Sequence, residues 1–157
     1  MVIVDAQSVK NTDTAREKGY DAGKKVSGIK RHIVVDTNGL LHGVEVTTAN
    51  VTDRDGAILL AKRAKKNLSR VEKLLVDGGY SGEKFATEIK KILKAKVEVV
   101  KRNELHTFKV LPKRWVVERT FGWFEKCRRL WKNCERRLKT SRQMIMLAFI
   151  SLLLKRF

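Results

Sequence analysis

A chain of 157 residues, 43% of them hydrophobic, is long enough to bury a core, and its 35 Lys and Arg against 17 Asp and Glu leave a formal net charge of +18. That imbalance points to a polyanionic partner, nucleic acid above all. Two cysteines seven residues apart, Cys127 and Cys134, exclude a disulfide framework and read as core positions in a reducing compartment, and the longest apolar run, "MIMLAFISLLL" at 144–154, is too short to cross a bilayer. With no signal-peptide pattern at residue 1, the expectation is a cytoplasmic, nucleoid-associated protein with no membrane partner. Charge is unevenly placed: residues 1–89 hold 15 basic and 12 acidic side chains, residues 90–157 hold 20 and 5. The basic footprint therefore belongs to the C-terminal half, and a phosphate backbone accounts for it better than a lysine-rich solvated surface.

In chain order, "VIVD" (2–5) reads as a short strand, followed from Ser8 to Ile29 by a polar, glycine-dotted stretch without helical or strand period, expected to be a long functional loop. "RHIVVD" (31–36) and "LLHGVEVTT" (40–48) flank an Asn-Gly turn signal and predict a β-hairpin. Thr52 or Asp53 caps a helix over about 54–66, "VEKLLVD" is a strand ending at Asp77, Ser81 caps the next helix, and "KVEVVKR" (96–102) is a fifth strand. From Arg114, the apolar positions Val117, Phe121, Phe124, Cys127, Trp131, Cys134 and Leu138 step by three and four, predicting one long amphipathic helix. A capping box, Thr140 with Gln143, then starts a final helix.

Strand ends gather functional groups in α/β sheets. Asp5 ends the first strand and Asp77 the fourth, and the β-β-β-α-β-α-β order of a ribonuclease-H-like fold, an α/β class with a five-stranded mixed sheet flanked by helices, makes those strands neighbours. Two charged carboxylates side by side need a divalent cation. A third ligand is expected from the long helix, where Glu118 lies at the edge of the apolar face, with Arg114 and Gly122 its i−4 and i+4 neighbours. Taken singly, each has a plainer reading: a turn-forming Asp, or a surface Glu–Arg pair. The combination and its order carry the argument.

The segments "DAQSVK", "GYDAGKKVSGIKRHIVVDTNGLLHGVEVTTANVTDRDGA", "VDGGYSG" and "VLPKRWVVERTFGWFEKCRRL" make the chain similar, over nearly its whole length, to the DDE transposases of bacterial insertion sequences, in particular the family numbered five. The resemblance implies a ribonuclease-H-like catalytic domain whose two Asp and final Glu are Asp5, Asp77 and Glu118. In related transposases the Glu motif begins with a Tyr, has Arg three on, Glu four further and Lys seven beyond. Arg114 and Glu118 match, while Leu111 and Glu125 occupy the other two places and Lys126 comes one late. Family members carry an N-terminal DNA-binding region before this domain. The expectation is thus a single catalytic domain over 1–157, as a fragment, a decayed copy or a reading frame joined to a separately encoded N-terminal region.

The resemblance further implies cleavage of double-stranded DNA at transposon ends and joining of the 3′-hydroxyl to a target, with an oxygen-only ligand set: two Mg²⁺ (or Mn²⁺) ions about 4 Å apart held by Asp5, Asp77 and Glu118. A homodimer on DNA follows from the need to pair two ends. Phosphate contacts are expected from Arg114 and Arg119 first, then Lys113, Arg128 and Arg129, with Lys24, Lys25, Lys30 and Arg31, in and after the long loop, closing over the DNA. Trp115 and Trp123 are candidates for base stacking, though helical spacing fits core aromatics better. "GYDAGKK" fails as a phosphate loop, the three histidines are scattered, and Asp53 with Asp55 are explained by a helix N-terminus. The competing functions are a non-catalytic basic DNA-binding remnant and a simple nuclease of the same fold.

Overall fold

The computed structural model describes residues 1–100 and 114–155. Strands β1 (Val2–Lys10), β2 (Gly19–Asp21), β3 (Val26–Val35), β4 (Leu41–Thr48), β5 (Lys73–Asp77) and β6 (Lys96–Val100) form one mixed sheet. β3 pairs antiparallel with β1, β2 and β4, while β1–β5 and β5–β6 are parallel. Helices α1 (Asp53–Arg63), α2 (Glu83–Leu93), α3 (Arg114–Glu125) and α4 (Leu138–Leu154) flank it. The first three predicted strands are the antiparallel neighbours expected. The stretch read as a loop from Ser8 to Ile29 is instead largely sheet: β1 runs on to Lys10, β3 starts at Val26, and β2 adds a sixth strand to the five predicted. Polar side chains hid it, because some of them are satisfied only by a partner distant in sequence, as Ser8 Oγ donating to Asp21 Oδ2 at 2.6 Å.

Alternation along β1 and β3 sorts the core onto two faces. Val2, Val4, Val34, Leu74 and Val76 meet α1 and α2, and Ile3, Val9, Ile29, Ile33, Val35 and Leu75 meet α3 and α4. Thr52 caps α1 as predicted, its hydroxyl accepting from the Asp55 N–H at 3.1 Å. α2 is entered through Gly82 at φ +133°, where a side chain would be strained, and not through a Ser81 cap.

The long helix expected from Arg114 to Leu138 ends at Glu125. Beyond it the chain turns to carry Asn133 against the end of β1: its N–H donates to Lys10 O at 2.9 Å, its carbonyl accepts from the Thr12 N–H at 2.9 Å, and its amide donates to Asn11 Oδ1 at 2.9 Å. A buried Asn needs those partners, and a continuous helix would withhold them. α4 starts at Leu138, whose N–H is accepted by Glu17 Oε2 at 2.8 Å, so Thr140 lies inside the helix and caps nothing. Among the described residues, no helix is long and apolar enough to cross a membrane.

Candidate active site

β1 and β5 run parallel in a register that sets Val2 beside Leu74 and Ile3 beside Leu75. Two residues further along each strand, the same register sets Asp5 level with Asp77, and alternation turns both toward the α3 face. Asp5, Asp77, Leu75, Val100 and Val117 line one small cleft there. Both aspartates are partly exposed after three buried residues; Asp77 ends β5 as expected, whereas Asp5, expected at a strand end, lies inside β1, which pairs with β3 on to Lys10. Asp5 Oδ1 accepts the Ala6 N–H at 2.7 Å, and Asp77 Oδ1 accepts the Gly79 N–H at 2.9 Å, capping the 3₁₀ turn Gly78–Tyr80.

That turn carries a residue the sequence reading passed over. Tyr80 is 1% exposed, packs on Phe85 with ring centroids 5.7 Å apart, and its hydroxyl has no hydrogen-bond partner among the described residues. Burial raises its pKa well above the ordinary value, and the charges of Asp5, Asp53 and Asp77 raise it further. The signal available in the sequence was an aromatic three residues after Asp77.

Glu118 is exposed on α3, one residue beyond Val117 of the cleft. Among the described residues no three His, Cys, Asp or Glu side chains are gathered closely enough to hold a metal ion. The predicted phosphate contacts fare differently from one another. Lys113 and the Arg114 side chain lie outside the described residues. Arg119 lies 4.6 and 4.9 Å from the ring centres of Trp115 and Trp123 and donates to Asn38 O at 2.7 Å, so its guanidinium is engaged within the molecule. Arg129 is paired with Glu135 at 2.8 Å, whereas Arg128 and Lys25 are exposed.

Lys30 and Arg31 do not sit in a closing loop: both are buried in β3. Lys30 Nζ lies 2.8 Å from Asp53 and 3.1 Å from Asp21, and Lys24 Nζ donates to Ala6 O at 3.0 Å and stands 3.6 Å from Asp53. Burial opposes the Lys30 charge, but Asp53 and Asp21 outweigh it and hold its pKa above the usual value. Asp21 is held down to about 2; burial works against this, and bonds from Ser8, Lys24 and Lys30 prevail. Asp53 therefore serves an internal network as well as the helix N-terminus.

The transposase DDE domain family matches residues 1–154. The chain belongs to that family. Its fold is shared with a chain of the simian T-cell lymphotropic virus intasome in complex with the PP2A regulatory subunit B56 gamma, at TM-score 0.58 and 17% identity over 94% of this chain and 46% of that one. It is shared also with the catalytic core domain of BIV integrase, at TM-score 0.56 and 15% identity over 96% of this chain and 81% of that one. This DDE domain spans under half the length of the intasome chain. The mixed sheet with flanking helices is thus the ribonuclease-H-like architecture expected. Comparison with curated proteins gave no match.

Proposed function

We propose that this DDE domain belongs to a transposase of the insertion-sequence family numbered five, cleaving double-stranded DNA at the ends of its element and joining the 3′-hydroxyl to a target as a homodimer. The observation that supports this best is the level placement of Asp5 and Asp77 on adjacent parallel strands, in one cleft with Val117 of α3. Two carboxylates on rigid neighbouring strands form an oxygen-only donor set that suits Mg²⁺ or Mn²⁺. Asp5 and Asp77 would hold the two ions with Glu118 as the third ligand. Bound there, divalent ions supply Lewis-acid activation of an attacking oxygen and stabilisation of a leaving one.

The chain's own residues orient and position. The backbone N–H groups of Ala6 and Gly79 each fix one oxygen of an aspartate. Val100 and Val117 give the cleft an apolar wall that limits water. Exposed Lys25 and Arg128 are available to the phosphate backbone.

Calorimetric titration of Mn²⁺ into the wild type and Asp77→Asn tests the reading, because Asn retains the Gly79 cap while losing the charge. Binding that the variant loses, together with metal-dependent nicking of a duplex, supports it; equal binding in both proteins, or none in either, overturns it. The absence of a three-ligand cluster among the described residues favours a second reading, a basic DNA-binding remnant. That remnant would bind DNA with strong salt dependence and no response to metal. A strand-transfer assay separates the transposase from a simple nuclease.

A further inference from the structure

On the α3 face, the strand positions following Asp5 and Ile33 are Gln7 and Arg31, paired across β1 and β3. Arg31 is 2% exposed; its Nη2 donates to Leu130 O at 2.7 Å, while Nε and Nη1 have no hydrogen-bond partner among the described residues. Gln7 donates through Nε2 to Glu125 Oε1 at 2.7 Å, and its own Oε1 is likewise buried without a partner. These residues line a pocket of about 370 Å³ with Lys10, Trp131 and Lys132. Trp131, predicted on the buried seam of a long helix, is 65% exposed at this pocket, with Lys132 Nζ 4.8 Å from its ring centre. Three cations against Glu125 leave the lining net positive.

A buried guanidinium with half its fork unsatisfied is costly unless something accepts from it. Planar donors in that arrangement match the oxygens of a phosphate, and an exposed Trp beside them offers a surface to the adjoining sugar or base. We propose that the pocket formed by Gln7, Arg31, Glu125 and Trp131 is a phosphodiester subsite, seating one phosphate of a DNA strand that continues past Asp5 and Asp77. It rests on the reading of this domain as DNA-processing and deepens it. The Gln7 bond holds Glu125 at the pocket, and entry of the phosphate requires that exposed carboxylate to rotate outward. Burial lowers the Arg31 pKa to about 10, with the Glu125 charge opposing the shift, so the guanidinium stays charged at neutral pH.

The test is binding of a labelled 20-mer DNA duplex, without divalent metal, across a series of salt concentrations. Arg31→Met keeps the buried volume and removes the donors: the slope of log affinity against log salt should fall by about 0.9, one phosphate's worth. Glu125→Gln should tighten binding several-fold, more than Glu88→Gln, an acid on the opposite face of the sheet. Adding inorganic phosphate at fixed ionic strength should weaken DNA binding less in Arg31→Met than in wild type. A folded Arg31→Met with the wild-type slope, or a Glu125→Gln effect no larger than that of Glu88→Gln, overturns the subsite. If Arg31→Met does not fold, the Glu125 and Glu88 pair decides. Because no metal is present, failure here leaves the Asp5 and Asp77 reading standing, and loss of metal binding leaves this one standing.

Discussion

The two faces of the sheet are interrupted by polar residues at the same height and treat their charges differently. Toward α1, the charge of Lys30 is paired with Asp21 and Asp53 and Ser8 donates to Asp21, while His32 Nε2 meets Thr47 at 3.0 Å and its Nδ1 has no hydrogen-bond partner among the described residues. Gly56 of α1 lets the His32 ring lie flat against the helix, since a Cβ there would fall 2.0 Å from Cε1. Toward α3, Asp5 and Asp77 open on a cleft, and Arg31 and Gln7 keep unsatisfied groups. A polar cluster that is paired internally locks elements together; one left incomplete on a rigid strand is prepared for something from outside. Charge alone would not have told the two apart.

The comparison breaks most visibly at Asp5. Asp5→Asn should lower the proposed metal-dependent DNA cleavage by on the order of 10³-fold or more with little change in urea midpoint, because the side chain is partly exposed and the substitution is nearly isosteric. On that opposite face the signs reverse: Lys30→Met should leave Asp21 and Asp53 facing each other without their cation and cost roughly 3 kcal/mol in urea denaturation. A buried, intact Lys30→Met protein of wild-type stability would remove the distinction between the faces.

Titration sharpens it. Burial holds His32 down to about 4 from 6.5, against a smaller opposing pull from Asp53 and with repulsion from Lys30 and Lys24. A depressed histidine binds its proton more readily when unfolded, so its contribution is complete above pH 6.5 and is lost as pH falls toward 4, on the order of 3 kcal/mol. Asp21, depressed from 3.8 to about 2, contributes above pH 3.8 and loses that contribution as pH falls through 2. Stability measured from pH 7 to pH 4.5 should therefore decline in the wild type and flatten in His32→Gln. The smallest effect is at the helix entrance: Glu17→Ala removes the acceptor for the Leu138 N–H and should lower the thermal midpoint by an amount equivalent to about 1 kcal/mol, with DNA binding unaffected.

Much of this was legible beforehand. The Asn-Gly hairpin, the Thr52 cap, the strand ending at Asp77 and the pairing of Asp5 with Asp77 follow from local pattern and strand order. The misread segments share a cause. β2 and the ends of β1 and β3 look like loop because Ser8, Asp21, Lys24 and Lys30 are polar, and they become strand because they satisfy one another. The seam from Val117 to Leu138 keeps a helical period through a segment that is not one helix, since Asn133 is drawn to the end of β1 by backbone bonds that no period records. Trp131 accordingly leaves the core, and Arg31, expected to close over DNA just after the loop, is buried inside β3.

The amino-acid sequence by itself determined the period of each strand and helix, the excess of positive charge and the residue types able to serve as oxygen ligands, because these depend on neighbours a few positions apart. Only the tertiary structure decided which polar side chains are spent on the fold and which remain for a ligand. That choice depends on whether a complementary group arrives from a distant strand, and burial makes leaving one unpaired costly enough to be informative.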